Sequence, residues 1–238
     1  MSSKDTITFT KNNLDTYLKE LAKEYKKLGG KRIPAEIILI GGASVLTNYG
    51  FREMTTDVDA LIQAASIMKD AINHVGDRYK LPVRWLNEDF KRTASYSPKL
   101  VRYSTHYKSF YGVLEVRTIT AEHLIAMKLM SGRQYKNDLS DIIDIMAEHQ
   151  KAGKDISMEE IRNAAADLYG AWDVIPSISQ TFIEDVIQNG DYVTMQLEVS
   201  VEEQEAKKEL LEFENEYQGV TNKANINDII AQLKKKQK

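Results

Sequence analysis

The chain has 238 residues, 42% of them hydrophobic and 28% charged, with a formal net charge of -3 and no cysteine. That length suits one large domain or a domain with a helical extension. The near balance of charge excludes a global field that would draw the protein onto nucleic acid or membrane, and the missing cysteines exclude disulfides, thiolate metal sites and a cysteine nucleophile.

The opening residues, MSSKDTITFTKNN, lack the apolar core of a signal peptide. No run approaches the roughly 20 apolar residues of a membrane helix. The expectation is a soluble, cytoplasmic protein with no membrane partner. Leu14, Leu18, Leu21 and Tyr25 recur at helical spacing before Gly29-Gly30, which predicts a helix over residues 12–28. Pro34 and the apolar run 37–40 predict a buried strand, after which Gly41-Gly42 turns the chain into a short helix around residues 44–49. Residues 58–62 read as a second strand. Residues 64–75 read as a helix that packs Ile67, Met68, Ala71, Ile72 and Val75 on the sheet. Helix, strand, helix, strand, helix is the pattern of an α/β layer.

Residues 78–117 differ in composition, with nine bases against three acids (Glu88, Asp89 and Glu115) and interleaved aromatics from Tyr79 and Trp85 to Tyr111. Bases that meet phosphates beside rings that stack bases make a single-stranded nucleic-acid site. A hairpin whose aromatics fill the core and whose lysines are wet has the same composition. Residues 100–107 and 110–118 read as its strands, with a turn near Lys108-Ser109. Helices are expected over 120–131, with Thr120 as N-cap, and over 136–149, 157–169 and 178–188. An acidic helical stretch over 198–217 leads to a terminal amphipathic helix over 226–233, suited to docking on the domain, on a second copy in a homodimer, or on a partner. The expected organisation is a core over 1–119, a helical region over 120–197 and an arm over 198–238.

The chemistry concentrates between residues 38 and 61. A strand that runs into Gly41-Gly42 and then a helix presents bare backbone amides and a helix N-terminus, an anion site unless the turn is merely tight. Asp57 and Asp59 are two apart in an apolar strand, so both carboxylates share one face. Two acids held together repel, and a divalent metal carrying a phosphate relieves that. No GxGxxG or GxxxxGK[ST] pattern is present.

Gly41-Gly42-Ala43-Ser44 followed by Arg52-x-x-Thr55-Thr56-Asp57-Val58-Asp59 resembles the active-site signature of the nucleotidyltransferase (DNA polymerase beta-like) superfamily, closest to the AbiE-type and MenT-type toxin nucleotidyltransferases. Residues 121–129 with Arg133 and Asp138-Leu139-Ser140-Asp141-Ile142 are similar to a second block of that group. The resemblance covers about residues 36–150 and implies an α/β (α+β) fold, a small mixed sheet with helices followed by a helical region. It implies transfer of NMP from an NTP such as ATP to a hydroxyl, with RNA as acceptor and an antitoxin as partner in a two-gene system. Mg²⁺ or Mn²⁺ would sit on Asp57 and Asp59. Gly41, Gly42 and Ser44 would cradle phosphates, with Arg52, Thr56, Lys128 and Arg133 on the nucleotide. Asp138 or Asp141 would orient Lys128 or the base and sugar. The alternatives are an antibiotic-modifying transferase and a degenerate fold that binds nucleotide or a partner without turnover.

Glu115 is the expected third carboxylate and general base, an acid inside the apolar strand Val113-Leu114-Glu115-Val116 where an unpaired charge costs several kcal/mol (roughly). Its alternatives are a partner for Arg117 or an exposed position on an edge strand. Lys128 lies four residues after Leu124 on a mostly apolar helix, and Asp138 and Asp141 share a face that could equally be a solvated stripe through Asp144 and Glu148. The four histidines show no metal-ligand spacing, and His123, one turn before Met127, is expected on a helix surface, the alternative being that it faces the site.

Overall fold

A computed structural model describes residues 7–132, 138–199 and 201. Arg133, the acidic run from Glu202 onward and the expected terminal helix lie outside the described residues. The described residues form two compact units, 7–132 with 156–184, and 138–155 with those from 185 on.

In the first unit, Thr10 starts helix α1 (Lys11–Lys27) with a reciprocal cap: its hydroxyl accepts from the Asn13 amide, and the Asn13 side chain accepts from the Thr10 amide. Leu14, Leu18, Leu21 and Tyr25 form its fully buried stripe, as their spacing predicts. The Ile-rich run gives the central strand β1 (Ala35–Leu39) of a five-stranded sheet. The other strands are β2 (Val58–Gln63), β3 (Leu86–Asn87), β4 (Ser104–Phe110) and β5 (Leu114–Ile119), in the order β3-β2-β1-β5-β4. β1 pairs antiparallel with β2 and parallel with β5, so the sheet is mixed.

Register divides the sheet into two faces. Ala35, Ile37, Leu39, Val58, Ala60, Leu114 and Val116 belong to the core cluster that includes α1 and α3 (Ile67–Tyr79). Ile38, Ile40, Leu61 and Ile119 point to the opposite face and are also buried, each such side chain worth about 1.5–3 kcal/mol of burial. Glu24, a buried acid on α1, accepts from Arg78 Nη2 at 2.9 Å and lies 3.1 Å from His74 Nδ1, which ties α1 to α3. The Arg78 hydrogen bond, ahead of His74, holds its carboxyl below the usual range.

The short helix α2 (Gly41–Asn48) follows β1. α4 (Ala121–Ser131) packs against α2 and α6 (Met158–Tyr169), and the Ser97 hydroxyl donates to Leu168 O at 2.7 Å to fasten the loop before β4 onto α6. Two expectations need correction. The hairpin turns at Tyr111 and Gly112, not near Lys108-Ser109, because both residues adopt positive φ (52° and 64°), the geometry whose twist matches paired strands. Residues 98–103 form a 3₁₀ segment, not strand, with Pro98 at its start and Ser97 as its cap.

In the second unit, α5 (Asp138–Lys151) buries Ile142, Ile143, Ile145 and Met146, and Gln196 donates to Asp144 at 2.8 Å. α7 (Ser177–Asn189) is divided between the units, residues 177–184 belonging to the first and the rest to the second. No described helix is long and apolar enough to cross a membrane.

Leu18 sits in the middle of the fully buried stripe of α1. Leu18→Ala is expected to cost about 2–5 kcal/mol, read as a lower denaturant midpoint at unchanged slope.

Candidate active site

The glycine turn and the first carboxylate strand meet at one end of the sheet. The Ile40 amide donates to Asp59 O at 2.9 Å, so Asp59 lies level with the residue that immediately precedes Gly41. Asp57 comes just before β2 begins and is exposed, while Asp59 is half-buried within the strand. Gly41 has φ +53°, a left-handed backbone that suits glycine, and open space lies where a Cβ would be. The first amides of α2 therefore start beside the acid pair with no helical partners of their own. Both the bare turn and the helix dipole favour an anion there.

Gly42 is bare for a different reason. An added Cβ would stand 2.9 Å from Thr55 Oγ1 and 3.1 Å from Arg52 Nη2. Thr55 is buried, and its hydroxyl lies 3.1 Å from Asp57 O and 3.3 Å from Asp57 Oδ1, within donating distance of both. Its backbone exchanges two hydrogen bonds with Phe9, at 2.7 and 2.8 Å. Phe9 in turn stacks on Trp85 in the core, with ring centroids 6.1 Å apart. Thr55 is thus the post on which Asp57 is hung. Arg52 reaches back over Gly42 and donates through Nε to Met54 O at 3.2 Å. Thr56 is exposed beside the pair.

Other expected site residues are placed differently. Ser44 is fully buried, and its hydroxyl accepts from the Ile119 amide at 3.2 Å. Its side chain joins α2 to β5 and is turned away from the phosphate cradle expected of it. Glu115 is not brought to the acid pair: it pairs across β1 with Glu36, which is level with Gln63 at the far end of β2. That is four residues along the sheet from Asp59, about 13 Å at 3.3 Å per residue. Its carboxylate lies 3.2 Å from Arg117 Nη1 and 3.5 Å from His106 Nδ1, and it borders a cleft of about 420 Å³ with Glu36, Gln63 and Ser109. Lys128 is buried on α4, as its place among apolar residues predicts. Asp138 and Asp141 lie on α5 in the second unit, and Asp141 is buried there, off any solvated stripe. Arg133 lies outside the described residues.

His123 corrects the expectation of a surface histidine. It is 6% exposed, because α4 is apolar nearly all round and is covered on every side. Its ring stacks on Tyr103 with centroids 3.9 Å apart. Nδ1 lies 2.8 Å from Thr120 Oγ1 and 3.1 Å from Glu122 Oε1, and Nε2 lies 3.4 Å from Asp167 on α6. Thr120 does occupy the N-cap position, but its hydroxyl donates to Glu122 and accepts from none of the helix amides. Only the pairing of β5 with β4 and of α4 with α6 assembles this group, so no local pattern announces it.

The segment 78–117 is largely consumed by structure. Trp85 and Phe90 are buried, and Arg78, Arg84, Lys91, Lys108 and Arg117 form ion pairs with nearby acids. No group of three or more histidine or acidic side chains able to hold a metal occurs among the described residues. The Asp57–Asp59 pair nonetheless fits Mg²⁺, which takes one or two protein carboxylates and fills its remaining positions with substrate phosphate oxygens and water.

Residues 16–176 match the model of a family described as "Nucleotidyltransferase of unknown function (DUF6036)". No curated protein and no solved structure matches the chain.

Gly42→Ala is expected to push the Thr55 hydroxyl off Asp57 and cost about 1–3 kcal/mol, measured by denaturation. A pH-dependent outcome follows at Glu122. Its carboxyl is held down to about 2, chiefly by the His123 hydrogen bond and also by the Thr120 hydroxyl, against an ordinary value of 4.5. A depressed folded value means the unfolded chain takes up the proton first, so this stabilisation is complete above about pH 4.5 and is lost as pH falls toward about 2. Glu122→Gln is therefore expected to melt below wild type at pH 6, with the gap closing toward pH 2.

Proposed function

The chain belongs to this nucleotidyltransferase family, and from that premise we propose that it transfers NMP from an NTP to a hydroxyl of an RNA acceptor. The observation that carries the proposal is the Ile40–Asp59 backbone bond, which sets the acid pair against the glycine turn. Phosphate oxygens would meet the amides of Gly41 and Gly42, and the half-buried Arg52 would neutralise charge at the same turn. Asp57 and Asp59 would hold Mg²⁺, which supplies charge neutralisation between the phosphates as the transition state forms.

In the reaction the acceptor oxygen bonds to the α-phosphorus, the bond from that phosphorus to the bridging oxygen breaks, pyrophosphate leaves, and the hydroxyl proton passes to solvent water. Thr55 orients Asp57 by the hydrogen bond described above, and Arg52 holds the loop that carries both. Lys128, buried on the helix that packs on α2, is the proposed cation toward the triphosphate from the side of α4. Glu115 has no part in this step, since register sets it away from the pair. The likeness of residues 121–142 to toxin nucleotidyltransferases supports a further element of the proposal, a role as the toxin-like partner of an antitoxin.

The experiment is transfer from labelled NTPs to total RNA in the presence of Mg²⁺. Losing an outer-sphere partner of a metal site costs about 10–100-fold, so Asp57→Asn together with Asp59→Asn is expected to remove at least about 100-fold of the activity. Transfer at the wild-type rate by that double variant would sink the assignment.

A further inference from the structure

Helix α1 and the edge strand β4 run side by side away from the glycine turn. Phe9, two residues before α1, is hydrogen-bonded to Thr55, so the first turn of the helix is anchored at the acid pair. From there α1 continues for 17 residues, about 25 Å at 1.5 Å per residue. Lys11, Lys19 and Lys23 are exposed along it at i, i+8 and i+12, one helix stripe.

The hairpin supplies rings beside that stripe. The Nζ atoms of Lys11 and Lys108 lie 6.0 and 5.0 Å from the centre of the Tyr107 ring, and Lys23 Nζ lies 5.9 Å from that of Tyr111. Tyr111 is 43% exposed at the apex of the turn, held there by a φ of +52°. That φ is what the hairpin turn requires of its first residue. Two acids border the stripe: Asp15 is engaged by Lys108 and by the Tyr107 hydroxyl at 2.9 Å, and Glu20 pairs with Lys23, a pair that a phosphate on Lys23 would have to share. Lys11 and Lys19 make no ion pair among the described residues.

We propose that this strip binds single-stranded nucleic acid, with phosphates on Lys11, Lys19 and Lys23 and bases against Tyr107 and Tyr111. Cations in a line give backbone affinity, and aromatic faces beside them accept any base. The strand would enter along α1 and deliver its end at Asp57 and Asp59. Only that last statement rests on the proposed transfer reaction; binding to the strip stands by itself.

The test is fluorescence anisotropy of a labelled 12-nucleotide RNA against the full chain. Single strands lose about 0.7 in the salt slope per phosphate contact. The triple variant Lys11→Glu, Lys19→Glu, Lys23→Glu is therefore expected to bind more weakly with a slope shallower by about 2. Tyr111→Ala is expected to weaken binding about tenfold with the slope unchanged, since a stacked base carries no charge. All these positions are surface ones, so thermal melts should match wild type. Wild-type affinity in the triple variant overturns the proposal, as does a wild-type protein that ignores the RNA but binds vesicles of anionic phospholipid. If labelled-NTP transfer is absent while the strip variants lose RNA, the transfer reaction falls and the strip stands. If transfer is present while the strip variants bind normally, the strip falls alone.

Discussion

The single backbone bond from the Ile40 amide to Asp59 O is the constraint on which the site depends. β1 runs antiparallel to β2 and parallel to β5, so the carboxyl end of β1, the amino end of β2 and the carboxyl end of β5 all meet at one edge. Slipping β2 by one residue would turn Asp59 into the face that packs on α1 and α3, among Ile37, Leu39 and Val116. A carboxylate there would have no partner and would cost several kcal/mol (roughly). The apolar alternation of Val58, Ala60 and Ile62 against Asp59, Leu61 and Gln63 therefore does two things at once. It drives the sheet to close, and it leaves the acid on the other face beside the glycine turn.

Much of this could be read locally. The α1 stripe, the β1 run, the glycine pair and the Asp57-Val58-Asp59 triplet are all short-range patterns, and each lies where its spacing predicts. What escaped was set by pairing between distant residues. Glu115 looks like a buried acid in an apolar strand until the parallel register with β1 puts it level with Glu36 and beside Arg117. Ser44 looks like part of a phosphate loop until α2 turns its hydroxyl toward the Ile119 amide, 75 residues on. β3 has two residues and so no periodicity to detect. The hairpin apex was hidden because tyrosine is a poor signal for positive φ, and Gly112 alone did not outweigh the polar Lys108-Ser109 pair.

The basic, aromatic composition of residues 78–117 shows how little composition says before packing is known. Trp85 donates its indole N–H to Ile72 O at 3.1 Å and stacks under Phe9, so it braces the bridge that carries Thr55. Arg78 neutralises a buried acid of α1, and Arg117 serves the two glutamates of the far cleft. These are structural uses of residues that an interface would also employ. After they are removed, the window leaves Tyr111 exposed at the hairpin apex and Lys80, Arg92, Lys99 and Arg102 exposed elsewhere, while the lysines beside that apex belong to α1. A surface is better argued from what packing leaves over than from the density of one sequence window.

The placement of Glu115 also bears on how the proposed chemistry would run. On β5 the residue level with Asp59 is Ile119, since both extend the pairings that Leu39 makes with Ala60 and Thr118. Ile119 is fully buried, so a carboxylate in its place would be stripped of water. The sheet thus offers two acids at the end that carries the glycine turn, with Arg52 in the loop beside them. For a phosphoryl-type transfer with a loose transition state, positioning and charge neutralisation do most of the work, and a strong protein base adds less. Thr55, buried and tied twice to the Phe9 backbone, holds its hydroxyl on Asp57, so the position of that carboxylate is set by the packing of the core and not by a neighbouring charge.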